Sequence, residues 1–258
     1  MKMNIKEIVK RILYYISVPK CISCSEILDF EDRALCKTCL SEHMQLKLKR
    51  CSNCYKEYHN CTCSNDYLSA RFVKKLVKVF RYKPSLSPND IIPSNELIYQ
   101  IKRGYRRDIV EFLADEISEA VKTNIKYEAY VITSVPRSDF RRLKYGIDHS
   151  KTIAKTVAKR LGIEYLEIFK SKSKKPQKKT RGEQRFSNAV FDYKTEYDLS
   201  GTRVLIFDDI VTTGASLGAC AMLIKGLGAR EIVGACVGIA FKDKYIPFDS
   251  SDRFAKNS

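Results

Sequence analysis

Apolar residues recur along this chain in two rhythms, and the alternation between them predicts an architecture. Near the start Ile5, Ile8, Val9, Ile12, Leu13 and Ile16 repeat at helical spacing with Lys2, Lys6, Lys10 and Arg11 between them, which predicts a basic amphipathic helix over residues 1–18. Lys75 to Lys83 has the β-branched and aromatic content of a strand and runs into a loop at Pro84–Asp90. Helical spacing resumes near Asn95. Leu97, Ile98 and Ile101 precede Gly104, and Ile109, Phe112, Leu113, Ile117 and Val121 follow it, so two helices meet around Gly104 and Tyr105. Ala129 to Val135 reads as a buried strand ended by Pro136, and the next helix carries Ile153, Val157 and Leu161 before Gly162 stops it. Glu164 to Phe169, Val204 to Phe207 and Ile232 to Ala240 read as further strands, with a helix from Leu217 to Leu227 before the last. Strands alternating with helices predict an α/β fold with a parallel sheet and ligands at the carboxyl ends of its strands.

One segment joins that pattern to chemistry. The run Val204 to Phe207 is followed at once by Asp208 and Asp209, then by Thr212, Thr213, Gly214, Ala215 and Ser216 at the start of a helix. Backbone amides and hydroxyls of residues 212–216 can surround a phosphate there, because the first amides of a helix have no partner within it. The adjacent carboxylates would repel that phosphate, and suit sugar hydroxyls or a magnesium ion held by the same ligand.

Eight of the ten cysteines lie between Cys21 and Cys63, as Cys21 and Cys24, Cys36 and Cys39, Cys51 and Cys54, and Cys61 and Cys63. Two such pairs supply four thiolates, enough to close a tetrahedral zinc site with no open position, so the segment predicts two structural zinc ions. Nothing marks the chain for export, which disfavours disulfides. Pairing in sequence order places Cys21, Cys24, Cys36 and Cys39 on one ion and Cys51, Cys54, Cys61 and Cys63 on the other, and a crossed arrangement is open. His43 and His59 are expected at the surface, and Cys220 and Cys236 in the core.

Charge narrows the partners. The 258 residues include 47 Lys and Arg against 30 Asp and Glu, a net charge of +17, which points to a polyanion or phosphorylated metabolites, or else to a lysine-rich host. The most basic stretch includes Lys172, Lys174, Lys175, Lys178, Lys179, Arg181 and Arg185 among Ser, Pro, Gln and Gly. It is too polar for a core, and suits a departing pyrophosphate, a nucleic-acid backbone or plain solvent. No apolar run is long enough to span a bilayer, so a cytoplasmic location is expected.

The acidic pair with Thr212-Thr213-Gly214 resembles the signature of type I phosphoribosyltransferases. That resemblance implies that Asp208 and Asp209 hold the ribose hydroxyls of phosphoribosyl pyrophosphate, with magnesium, while residues 212–216 hold its 5′-phosphate. Together with the cysteine segment it is similar to one branch, the ComF family of competence-associated proteins. The supporting blocks are Val18-Pro19-Lys20-Cys21, Ile98 to Asp108, Val131 to Pro136 with Arg141 and Arg142, and Gln177, Thr180, Arg185, Asn188 and Phe191. Two departures stand out: Tyr145 to His149 keeps only the glycine of the family's Arg-Gly-Phe-Asn-Gln, and Thr212 stands where purine enzymes carry a carboxylate, which argues against purine salvage.

The resemblance implies a double zinc ribbon at 19–66, a phosphoribosyltransferase domain at 67–245 and a polar tail at 246–258. It implies a protein that binds phosphoribosyl pyrophosphate and handles single-stranded DNA during uptake, beside partners such as a DNA-translocating helicase. The alternative is an active transferase that passes the ribose phosphate to an acceptor and releases pyrophosphate.

Overall fold

A computed structural model describes residues 14, 18–82, 92–103, 106–137, 148–171 and 191–240. The predicted N-terminal helix, the loop at Pro84–Asp90, the basic stretch Lys172 to Arg185 and the C-terminal tail lie outside those residues, apart from Tyr14 and Val18.

Four strands form a parallel sheet in the order β1 (Val73–Arg81), β6 (Glu231–Ile239), β5 (Arg203–Val211), β2 (Tyr130–Ser134). A separate antiparallel pair joins β3 (Phe169–Ser171) to β4 (Phe191–Tyr193). The helices are α1 (Lys37–Lys47), the single turn α2 (Asp66–Ser69), α3 (Pro93–Arg103), α4 (Arg107–Asn124), α5 (His149–Leu161) and α6 (Ala215–Gly226). Alternation along β5 sorts the two layers: Leu205 and Phe207 pack with α3, α4 and α5, while Val204 and Ile206 pack with α6. A strand buried on both faces must be apolar throughout, which is why residues 204–207 show no polar alternation.

Most predicted elements are present, including the break between α3 and α4 and the left-handed Gly162 (φ 67°) that ends α5. Two expectations need correction. Glu164 to Phe169 is a strand only at its end: Tyr165 makes one parallel bridge to Ile132, after which the chain turns away into β3. The signature strand does not stop at Phe207 but runs to Val211, because β6 continues beside it and pairs Asp208 with Cys236 and Ile210 with Gly238.

The cysteine segment shares its core with the sheet. Cys21, Ile22, Leu28, Leu35 and Cys39 belong to the apolar cluster that contains Phe80, Ile98 and Leu113, and Cys51, Tyr58 and Cys61 belong to the one that contains Leu76, Leu217 and Ile224.

Candidate functional site

Asp208 and Asp209 lie near the carboxyl end of β5, at adjacent positions whose side chains alternate across the sheet. Asp209 is buried, 3.8 Å from both Lys102 Nζ at the end of α3 and Arg137 Nη2 just past β2. Burial alone would raise its carboxyl, but Lys102 and Arg137 outweigh that and hold it below the usual carboxylate range. Asp208 shifts the other way, pushed well up by burial and by the charge of Asp209. The pair therefore favours one negative charge, on Asp209, until a cation or hydroxyl ligand arrives. Ser150 Oγ donates to Asp208 Oδ1 at 3.4 Å, and the Asp209 and Ile210 amides donate to the two carboxylates at 3.0 and 2.8 Å.

Beside this pair sits a histidine expected only as part of an altered block. His149 opens α5, is fully buried, and among the described residues neither ring nitrogen has a hydrogen-bond partner. Burial first, then Arg137 and Lys102, push its pKa down to about 4, so it is neutral at pH 7. Asp148 caps α5, accepting from the Lys151 amide at 3.1 Å, and its other oxygen accepts from the Arg137 amide at 3.1 Å, which fixes the start of α5 against the end of β2.

Thr212, Thr213 and Gly214 make the turn from β5 into α6, and Ala215 and Ser216 are the first residues of that helix. Gly214 has φ 85°, a conformation that favours glycine, and a Cβ there would lie 2.7 Å from Leu68 Cγ. The Ala215 amide donates to Thr213 Oγ1 at 3.3 Å, and Asn65 Nδ2 donates to the Thr213 carbonyl at 3.3 Å. A cavity of about 1270 Å³, bordered by Arg137 and Asp148, extends along α5 and is lined by cations that include Arg107, Lys151, Lys155, Lys159, Lys170 and Lys194. Several are matched: Glu167 pairs with Lys151 and Lys194, which hold its carboxyl down to about 2.

The cysteines form two groups in sequence order, Cys21, Cys24, Cys36, Cys39 and Cys51, Cys54, Cys61, Cys63, each with its sulfurs within 4.8 Å of one another. Cys24 and Cys36 sulfurs are 3.6 Å apart and those of Cys54 and Cys61 3.5 Å, close to the roughly 3.8 Å edge of a tetrahedron with 2.3 Å zinc–sulfur bonds. The donor set fits a structural zinc in each group. The crossed pairing has no support in this geometry.

His43 corrects a sequence expectation. It is fully buried rather than at the surface, with Nδ1 2.7 Å from Ser94 Oγ and Nε2 3.2 Å from Glu116 Oε2, and its ring packs on Phe80 and Phe112. α1 docks on α3 and β1 through its inward face, and a histidine on that face is drawn into the core where two polar partners satisfy it. His59 is part-exposed, with Nδ1 3.1 Å from the Lys47 carbonyl. Cys220 and Cys236 are buried as expected.

Sequence reasoning singled out neither Lys102, Arg137 and His149 as individual site residues nor Lys78 and Asn65. Lys78 carried a visible signal, a lone cation in the apolar run Leu76 to Phe80; it is buried and donates to the carbonyls of Cys61, Cys63 and Leu76 at 3.1, 2.8 and 3.3 Å.

Comparison with known proteins agrees with this arrangement. Residues 148–257 match the phosphoribosyl transferase domain family. The sheet, the acidic pair and the turn into α6 therefore define a type I phosphoribosyltransferase fold behind a cysteine-rich segment. Along most of its length the chain is 24% identical to the competence protein ComFC of Streptococcus pneumoniae, over 83% of this chain and 96% of that protein. It is 24% identical to competence protein F of Haemophilus influenzae over 83% of this chain and 93% of that one, and 25% identical to the DNA utilization protein YhgH of Escherichia coli over 64% and 71%. Over most of its length the chain is therefore similar to proteins named for competence and, over a shorter stretch, for DNA utilization. A purine phosphoribosyltransferase from Pyrococcus horikoshii is similar at 23% identity and a TM-score of 0.33, over 54% of this chain and 92% of that one. No helix among the described residues is long and apolar enough to cross a membrane.

Proposed function

We propose that this protein binds phosphoribosyl pyrophosphate with magnesium and that the occupied pocket serves in handling single-stranded DNA during uptake, with one zinc ion in each cysteine group. The observation that carries the pocket is the placement of Asp208 and Asp209 immediately before the phosphate-cradling turn, with two cations at 3.8 Å from Asp209. Residues 212–216 hold the 5′-phosphate through amides and hydroxyls at the start of α6. The acids hold the ribose hydroxyls, and a magnesium ion shared with the ligand's diphosphate supplies countercharge. Lys102 and Arg137 keep Asp209 ionised and face the same mouth. The competence and DNA-utilization names of the relatives, with the net charge of +17, support the DNA role. Lys172, Lys174, Lys175, Lys178, Lys179, Arg181 and Arg185 are the cations proposed to meet DNA or pyrophosphate.

The test is calorimetric titration with phosphoribosyl pyrophosphate and magnesium. Binding that Asp208→Asn with Asp209→Asn removes supports the pocket; absence of binding sinks it. For DNA, affinity for a single strand should fall steeply with salt and drop when Lys172, Lys174, Lys175, Lys178 and Lys179 are neutralised together.

A second reading is that of an active transferase. The bond from C1 of the ribose to pyrophosphate breaks as a bond to an acceptor forms, pyrophosphate leaving with the electron pair. The intact acids and turn favour it, while Thr212 supplies no carboxylate to act on a purine. An acceptor screen following pyrophosphate release separates the two readings.

A further inference from the structure

One continuous strip of chain, residues 61–71, carries two ligands of the second cysteine group at one end and packs against the phosphate turn with the other. Cys61 and Cys63 belong to the group, and their carbonyls are pinned to β1 by the buried Lys78 ammonium. The Leu76 amide donates to the Thr62 carbonyl at 2.9 Å between them. Two residues after Cys63, Asn65 acts in two directions: its Oδ1 accepts from the Leu68 amide at 2.8 Å and caps α2, while its Nδ2 reaches the Thr213 carbonyl at 3.3 Å. Leu68, fully buried, fills the space beside Gly214, and Arg71 and Tyr67 come within 2.8 and 3.1 Å of where a Cβ on Gly218 of α6 would lie. The floor of the turn is thus built by residues that directly follow two ligands of the group.

Hydrogen bonds to β1 and the buried Leu68 dock that strip on the body, but the fold of the chain between Cys51 and Cys63, which leads into it, centres on the group. α2 is a single turn, and residues 51–64 contribute few apolar side chains to the core. Four thiols alone do not bind one another, whereas a metal ion on four thiolates supplies enough free energy to fold such a segment outright. Lys78 adds a second sign of the same dependence. Among the described residues it meets no carboxylate, only carbonyls, and a buried ammonium in that position is matched by the dianion that a divalent ion on four thiolates makes.

We propose that metal occupancy of the centre formed by Cys51, Cys54, Cys61 and Cys63 sets the affinity of the turn at residues 212–216 for its phosphate ester, with Asn65 as the positioning residue that transmits it. The proposal rests on the reading that this turn holds the 5′-phosphate. Coupling of this kind is reciprocal: whatever factor the metal adds to ligand affinity, the ligand adds to metal affinity.

The experiment uses the full chain loaded with zinc and phosphoribosyl pyrophosphate with magnesium as probe. Release of zinc to a chromogenic chelator is followed in wild type with and without saturating probe, while alkylation and mass spectrometry identify which cysteines become free. Equilibrium competition with the chelator gives the metal affinities. The probe should strengthen retention at Cys51 to Cys63 by about 5-fold or more, within the usual range of about 5- to 150-fold, and leave Cys21 to Cys39 unaffected. Calorimetry on Cys51→Ser with Cys54→Ser should show probe affinity weakened by the same factor. Asn65→Ala should keep both zinc ions yet lose the coupling. Equal retention with and without probe overturns the proposal, as does full coupling in Asn65→Ala. If the cysteine variant does not fold, the wild-type retention measurement decides. Loaded wild type that binds no probe overturns the pocket reading itself, and the coupling with it.

Discussion

The Lys102 ammonium stands 3.8 Å from the Asp209 carboxylate, joining the end of α3 to the end of the central strand. Asp209→Asn removes the carboxylate that stands 3.8 Å from both Lys102 and Arg137. We expect it to cost about 1–3 kcal/mol in urea denaturation and to weaken binding of phosphoribosyl pyrophosphate at least tenfold by calorimetry. Asp208→Asn, which replaces the member of the pair pushed towards its neutral form, should cost less stability.

His149 makes a pH prediction. Its folded pKa of about 4 lies below the unfolded value near 6.5, so the unfolded chain binds the extra proton first. Its contribution to stability is complete above pH 6.5 and is lost as pH falls through that value towards 4, by about 2 kcal/mol at pH 5. Chemical denaturation at pH 7.5 and pH 5 should show wild type losing that much more than His149→Gln; equal losses would remove the effect.

Gly214→Ala forces a side chain into a left-handed conformation and against Leu68. A loss of about 1–3 kcal/mol is expected, together with weaker phosphate binding, since the turn must shift to relieve the contact. Gly162→Ala, left-handed but with open space around its Cβ, should lose stability alone and leave ligand affinity unchanged.

Metal loading should release protons. Burial, then the neighbouring Cys54 and Cys61 thiols, push Cys63 up to about 12, so in the metal-free protein it is protonated at pH 7 and must give up that proton to bind. In Cys21 burial opposes ionisation, but amides of Cys24, Cys36 and Ser23 outweigh it and bring the thiol to about 7. Zinc added to apoprotein in weak buffer should acidify it, and zinc affinity should rise with pH. Metal analysis should give two ions per chain; well under two sinks the double-site assignment.

How far the fold was legible depended on whether local pattern or distant pairing decides each element. The strand, acids, turn and helix from Val204 to Leu227 are local, and the sequence predicts all four. The grouping of the eight cysteines follows their order for the same reason. The continuation of β5 through Asp208 and Asp209 is not local, since it needs β6 alongside, and a carboxylate in a strand looks like its end. The fading of the strand at Glu164 has the same origin, because one bridge to Ile132 is all the sheet edge supplies. His43 was misplaced because burial of α1 depends on α3 and β1, far along the chain. The contacts of Lys102, Arg137 and Asn65 are tertiary throughout, and nothing in their immediate neighbours announces them.

The sharing of one core between the cysteine segment and the sheet bears on how the chain is made. Synthesis delivers Cys21 to Cys63 before the sheet they pack on, and their thiols can capture metal as soon as the four of a group are out. The apolar partners Leu217, Ile224 and Val237 are made much later. Part of the inner face of the nascent cysteine segment therefore stays uncovered until α6 and β6 have been made.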